Sequence, residues 1–254
     1  MYKGIKNIGL LVNIRHENKV LIKDQLANIE ILKNAFLIIK NDRIVEWGEM
    51  KNIENIFLKY NINKIYDANK GCIMPMFVDS HTHLVFAGSR ENEFVLKLKG
   101  KSYQEIVQTG GGINNTANAI DKISAEKLLE ESMQKLNHLI GLGTGGIEIK
   151  SGYGLNVKNE IKILQTIAAL KKYSPIPIKS TFLGAHTIPI KYKNNPTDYI
   201  HLVINKMLPL IAKDNLADYI DVFCDKGFYT PTQTEIICKA ALKYGLKPRL
   251  HVNQ

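Results

Sequence analysis

The sequence predicts an α/β fold in which a small β-rich unit precedes a larger parallel sheet. Two observations carry that expectation. After residue 70, five short apolar runs alternate with amphipathic stretches of helical period, the pattern of repeated βα units around a parallel sheet. Before residue 70, short β-rich runs are separated by turn residues. The expected organisation is residues 1–70 as the N-terminal part of a small β domain and residues 71–254 as the βα region.

Taken in order, residues 9–14 and 35–40 read as strands, and Asn41-Asp42 turns the second into a hairpin partner at 43–47. In the larger region the strands are expected at 76–83, 147–150, 178–183, 219–224 and 249–252. Between them, residues 125–141 place Leu128, Leu129, Met133, Leu136, Leu139 and Ile140 on one helical stripe. A further helix starts at Thr230-Pro231 and is ended by Gly245. Gly145-Gly146 is expected to weaken the strand it precedes.

With 254 residues, 45% of them hydrophobic, the chain has enough apolar material for one large domain, or one large and one small. A net charge of +10 raises the question of nucleic acid. Only four of the 34 cations are arginines (Arg15, Arg43, Arg90, Arg249), and no block of five or six basic residues occurs. The lysines spread along expected helix faces, so no nucleic-acid partner is predicted. Cys72, Cys224 and Cys238 form neither an even set nor a Cys-x-x-Cys spacing, and no N-terminal apolar segment resembles a signal peptide. A reduced, cytoplasmic setting is therefore expected. No run approaches the roughly 18 apolar residues of a membrane span, so no membrane partner is expected either.

The chemistry concentrates in Pro75-Met76-Phe77-Val78-Asp79-Ser80-His81-Thr82-His83. The apolar lead-in reads as a buried strand, opening at its carboxyl end into the polar stretch Ala87-Gly88-Ser89-Arg90. On a strand, alternate side chains share a face, which would set the Cα atoms of His81 and His83 roughly 6.5–7 Å apart. Two imidazoles so placed can close on one zinc or iron ion at about 2.0–2.1 Å from each nitrogen. A chance pair of loop histidines is the alternative that these residues alone leave open.

Val78-Asp79-Ser80-His81-Thr82-His83 followed by Gly88-Ser89-Arg90-Glu91-Asn92-Glu93-Phe94 resembles the amidohydrolase superfamily, and within it the imidazolonepropionase family. Gly110-Gly111-Gly112-Ile113, Glu148-Ile149-Lys150-Ser151-Gly152-Tyr153-Gly154-Leu155, Thr181-Phe182-Leu183-Gly184-Ala185-His186 and Leu250-His251-Val252-Asn253-Gln254 extend the likeness in the same order. The resemblance implies a (β/α)8 TIM barrel, of which this chain carries the first five units, preceded by a β-sandwich-type domain. It implies one Zn2+ or Fe3+ ion and hydrolysis of the cyclic amide 4-imidazolone-5-propanoate to N-formimidoyl-L-glutamate in histidine degradation.

Residue by residue, the resemblance adds His251 to His81 and His83 as metal ligands. It makes Arg90, Tyr153, His186, Gln254 and Tyr103 substrate contacts, with Arg90 forking onto the propionate. The bland alternatives are a surface ion pair of Arg90 with Glu91 or Glu93, a loop tyrosine at 153, and satisfied histidines at 186 and 251. His16, His138 and His201 are assigned no function. The family's metal-binding aspartate and catalytic histidine match nothing in this sequence. The chain is therefore expected to be an N-terminal fragment whose activity by itself is doubtful, in a family where a homodimer is one arrangement. Another cyclic amidohydrolase or deaminase, or an inactive metal-binding fragment, are the competing readings.

Overall fold

The structure is a computed structural model that describes residues 1–17, 19–89, 91–102, 105 and 111–252. It divides into two compact units, Met1–Met76 and Phe77–Gln254, so the division falls after Met76 and not near residue 70.

The first unit is a mixed five-stranded sheet. Strand β1 (Tyr2–Val12) pairs antiparallel with β2 (Ile31–Lys40), which turns at residues 41–42 into β3 (Arg43–Glu49). Helix α1 (Ile53–Tyr60) then carries the chain across to β4 (Lys64–Asp67), which pairs parallel with β1, as does the short β5 (Cys72–Ile73). A helical crossover is what a parallel return requires. Ile8, Leu11, Ala35 and Leu37 form its core. The expected hairpin is present. The described strands of this unit form one sheet. Helix α1 starts after Asn52, a favoured N-cap residue type whose side chain makes no capping hydrogen bond here.

The second unit is a parallel sheet in the order β10-β9-β8-β7-β6. Its strands are β6 (Phe77–Thr82), β7 (Thr144–Lys150), β8 (Ile178–Ala185), β9 (Tyr219–Val222) and β10 (Lys247–Pro248). The helices are α2 (Glu91–Leu98), α3 (Ile113–Lys122), α4 (Ala125–Gly141), α5 (Val157–Tyr173), α6 (Pro196–Leu202), α7 (Leu208–Lys213) and α8 (Pro231–Leu242), with a π-helical turn over Val203–Met207. Their starts are chemically marked: Ser124 accepts the Lys127 N–H, Asn156 accepts the Asn159 N–H, and Thr230 with Gln233 forms a capping box. Leu128 and Leu136 of the predicted α4 stripe are buried, with Leu129, Met133, Leu139 and Ile140 packed beside them. The core continues through Ile147, Ile149, Ile163, Ile167, Phe182, Ile220 and Ile237.

Three expectations need correction. Gly145-Gly146 does not precede the second parallel strand but lies within it: β7 begins at Thr144, earlier than the expected 147, and Gly146 lies opposite Val78 in the ladder. The strand bearing the histidine pair is not buried. Among the described residues β6 has a single neighbour, β7, and Phe77 is 62% and Val78 74% exposed. The fifth strand is shorter and earlier than 249–252. Its ladder is Lys247–Pro248, after which Pro248 offers no N–H and pairing continues only as isolated bonds and the Phe223–His251 bridge.

Candidate active site at the carboxyl edge of the parallel sheet

All five strands run the same way, so their carboxyl ends meet along one edge. His81 is the penultimate residue of β6 and His83 lies just beyond it. Tyr153 follows β7, His186 follows β8, and His251 follows β10. Five side chains from four stretches of sequence thus converge. The His81 and His251 Nε2 atoms are 2.9 Å apart. The His83 ring stacks on Tyr153 at 4.6 Å and on His186 at 5.0 Å, almost parallel to the latter.

The three expected ligands are not disposed alike. Among the described residues, no three His, Cys, Asp or Glu side chains are arranged around a common ion position. His81 and His251 face each other, whereas the His83 ring lies 5.9 Å from that of His81 and is turned by 63°. Strict strand alternation fails here because the β6–β7 register shifts between Asp79 and Thr82. The donors nonetheless suit a metal. Two Nε2 atoms converge, and His83 Nδ1 is buried without a hydrogen-bond partner. Burial, then the neighbouring His186 and His81, hold the His83 imidazole well below its ordinary pKa. His81 is lowered too, by burial first and then by His251 and Lys150.

The sequence reasoning missed the residues that hold this edge together. Asp221, the third residue of β9, takes the His251 N–H on Oδ1 at 3.0 Å and the ring Nδ1–H on Oδ2 at 2.5 Å. A carboxylate so placed fixes the tautomer, leaving the Nε2 lone pair aimed at His81. Lys150, only 4% exposed, bridges Glu148 at 2.6 Å and Asp221 at 3.1 Å. Thr181 Oγ1 donates to Glu148 at 2.6 Å, Arg249 pairs with the same carboxylate, and the Arg249 guanidinium lies over the Tyr219 ring. Burial would raise Glu148, but the bonds from Lys150 and Thr181 outweigh it and lower its pKa. The only sequence cue was four charged residues, Glu148, Lys150, Asp221 and Arg249, inside or beside apolar strand runs.

His186 Nδ1 donates to the Gly152 carbonyl at 3.2 Å. Beside His83, Phe86, Gly88, Ser89, Glu91, Thr116 and Tyr153 line a cleft. Arg90, Tyr103 and Gln254 lie outside the described residues.

No protein-family profile matches the chain. Among solved structures it is similar to an uncharacterised metal-dependent hydrolase from Pyrococcus furiosus, with TM-score 0.60 and 12% identity, covering 98% of this chain and 67% of that one. It is similar also to 5-methylcytosine deaminase from Klebsiella pneumoniae (TM-score 0.58, 15% identity, 95% and 51% covered) and to E. coli guanine deaminase (TM-score 0.58, 13% identity, 99% and 52% covered). The fold is that of these hydrolases and deaminases. At the level of sequence, it is 44% identical over 251 residues to the imidazolonepropionase of Christiangramia forsetii and 45% identical over 251 residues to that of Flavobacterium johnsoniae, covering 98% of this chain in each case. Over the spans matched, the chain is similar in sequence to imidazolonepropionases. It spans about 60% of the length of these relatives.

Proposed function

We propose that this chain supplies the metal- and substrate-holding strands of an imidazolonepropionase, which hydrolyses 4-imidazolone-5-propanoate to N-formimidoyl-L-glutamate. In this reading the parallel sheet is the first five units of a (β/α)8 barrel, and Met1–Met76 is part of its small β domain. The observation that carries it is the convergence of His81, His83, His186, His251 and Tyr153 at one sheet edge, the end where barrel enzymes place their chemistry.

His81 and His251, with His83 beside them, would hold one zinc or iron ion. Such an ion supplies an activated water and polarises the ring carbonyl. Asp221 keeps His251 in the tautomer that presents Nε2. Tyr153 and His186 offer aromatic faces and polar edges to a planar heterocycle, and Arg90 would grip its propionate with a bidentate fork. Holding the ring by both ends orients the amide carbon for attack. Net reaction adds one water across the ring C–N bond, with the proton going to the departing nitrogen.

The test follows loss of substrate ultraviolet absorbance with the 254-residue chain alone, and joined to the part of the C. forsetii relative that it does not span. Ring opening by the joined protein is expected, and Arg90→Lys in that protein should lower kcat/KM by about 2 kcal/mol because lysine lacks the fork. No ring opening by either protein would overturn the reading.

A further inference from the structure

We propose that Glu160 is a positioning residue of this site: its buried carboxylate gathers the backbone of residues 152–155 and thereby sets Tyr153 and His186 against His83. The inference rests on Tyr153 and His186 belonging to the substrate site proposed above.

Glu160 sits in the first turn of α5 and is fully buried. A buried carboxylate is costly unless hydrogen-bonded. Here the donors come from one loop. Oε2 accepts the Gly152 N–H at 3.0 Å, and Oε1 accepts the N–H groups of Gly154 at 2.6 Å and Leu155 at 3.2 Å. The Ser151 hydroxyl also bonds to the carboxylate and accepts the Leu183 N–H at 3.0 Å, tying the loop to β8. The arrangement is a backbone nest closed on an anion from its own chain.

The loop conformation is one the backbone would not choose unaided. Gly152 has φ +113°, and Leu155, a branched residue, has φ +54° in the left-handed region. Gly154 lies so close to the start of α5 that a Cβ would fall 2.4 Å from the Glu160 nitrogen. Two consequences reach the site. The Gly152 carbonyl is turned to receive His186 Nδ1–H, and Tyr153 is thrown onto the His83 ring. A carboxylate bonded to the backbone of this loop thus fixes the positions of both rings.

Glu160→Gln keeps the shape but replaces one acceptor oxygen with an amide that cannot accept. In the full chain, hydrogen exchange at the Gly152, Gly154 and Leu155 amides should accelerate at least tenfold. The His83 and His186 ring signals in nitrogen-15 NMR should shift, while amides within α5 stay within about twofold of the parent. Glu160→Asp keeps the charge but withdraws it by one methylene, so it should show the same pattern more weakly, and it takes over the test if the Gln variant does not fold. Unchanged loop exchange and ring signals would overturn the proposal. So would exchange that rises equally throughout α5, because that is the mark of a residue that merely stabilises the helix. No substrate enters the measurement, so its failure leaves the proposed activity standing, and absence of ring opening leaves the loop result standing.

Discussion

The two histidines that face each other across the site are held in opposite ways. His81 belongs to β6, a strand with one neighbour among the described residues and with Phe77 and Val78 exposed. His251 has hardly any strand around it, since β10 is two residues long. It is held instead by Asp221, itself buried and tied through Lys150 to Glu148. One histidine is set by backbone pairing and the other by a charged side-chain network. Strand pairing fixes a residue along the ladder but leaves its ring free to turn. A carboxylate on Nδ1 fixes the turn and the tautomer together.

Breaking the network should have the larger effect. Lys150→Met removes the buried ammonium shared by Glu148 and Asp221, leaving Glu148 to Arg249 and Thr181 and Asp221 to His251, and should destabilise the chain by about 3 kcal/mol or more in urea melts. A loss below about 1 kcal/mol would mean that Arg249 and Thr181 compensate, and that the network is less decisive than its geometry indicates.

Removing the two histidines at the end of β6, proposed above as ligands, should act on metal instead of stability. The parent should take up zinc or iron weakly and exchangeably, and the His81→Ala, His83→Ala double variant should lose it, as read by metal analysis of the dialysed proteins. Equal metal content in the two proteins would remove the ligand assignment.

A smaller ion pair on the same sheet gives a pH signature. Burial would raise the Asp218 carboxyl, but the bond from Lys171 and the Ser180 N–H outweigh it and take it down to about 2. A carboxylate lowered on folding stabilises fully above its unfolded pKa near 3.8, and that contribution is lost as pH falls through about 2. Asp218→Asn should therefore cost about 1–2 kcal/mol near neutrality and flatten the stability profile between pH 4 and 2. A variant whose acid melt matches the parent's would show that the pair contributes nothing.

The smallest effect is expected on β6. Val78→Lys, at an exposed position, should change stability by less than about 0.5 kcal/mol while lowering self-association in light scattering, because a charge on an edge strand blocks pairing with other chains. A large loss of stability would place Val78 in a contact that the described residues do not show.

Much of the fold was legible because local chemistry announced it. The 41–42 hairpin, the stripe of α4 and the capping box of α8 depend on neighbours within a few residues, and the sequence contains all of them. Helix α1 and the early start of β7 escaped, the first because it is only eight residues long and the second because paired glycines argued against a strand that its neighbours hold in place. At the site, His81, His83, Tyr153, His186 and His251 stood out by spacing and resemblance. Glu148, Asp221 and Glu160 did not, because a carboxylate inside a strand or early in a helix reads as an ordinary polar position until its partners are known.

By itself, then, the sequence determined the alternation of strands and helices, the family resemblance, and the residue types available for chemistry. Only the tertiary structure decided that Asp221 would meet a histidine 30 residues away, that Lys150 would be buried between two carboxylates, and that Glu160 would gather a loop. Periodicity and caps are short-range properties of a chain. Pairing of buried charge depends on which strands become neighbours, and its energy appears only once water has been excluded from between them.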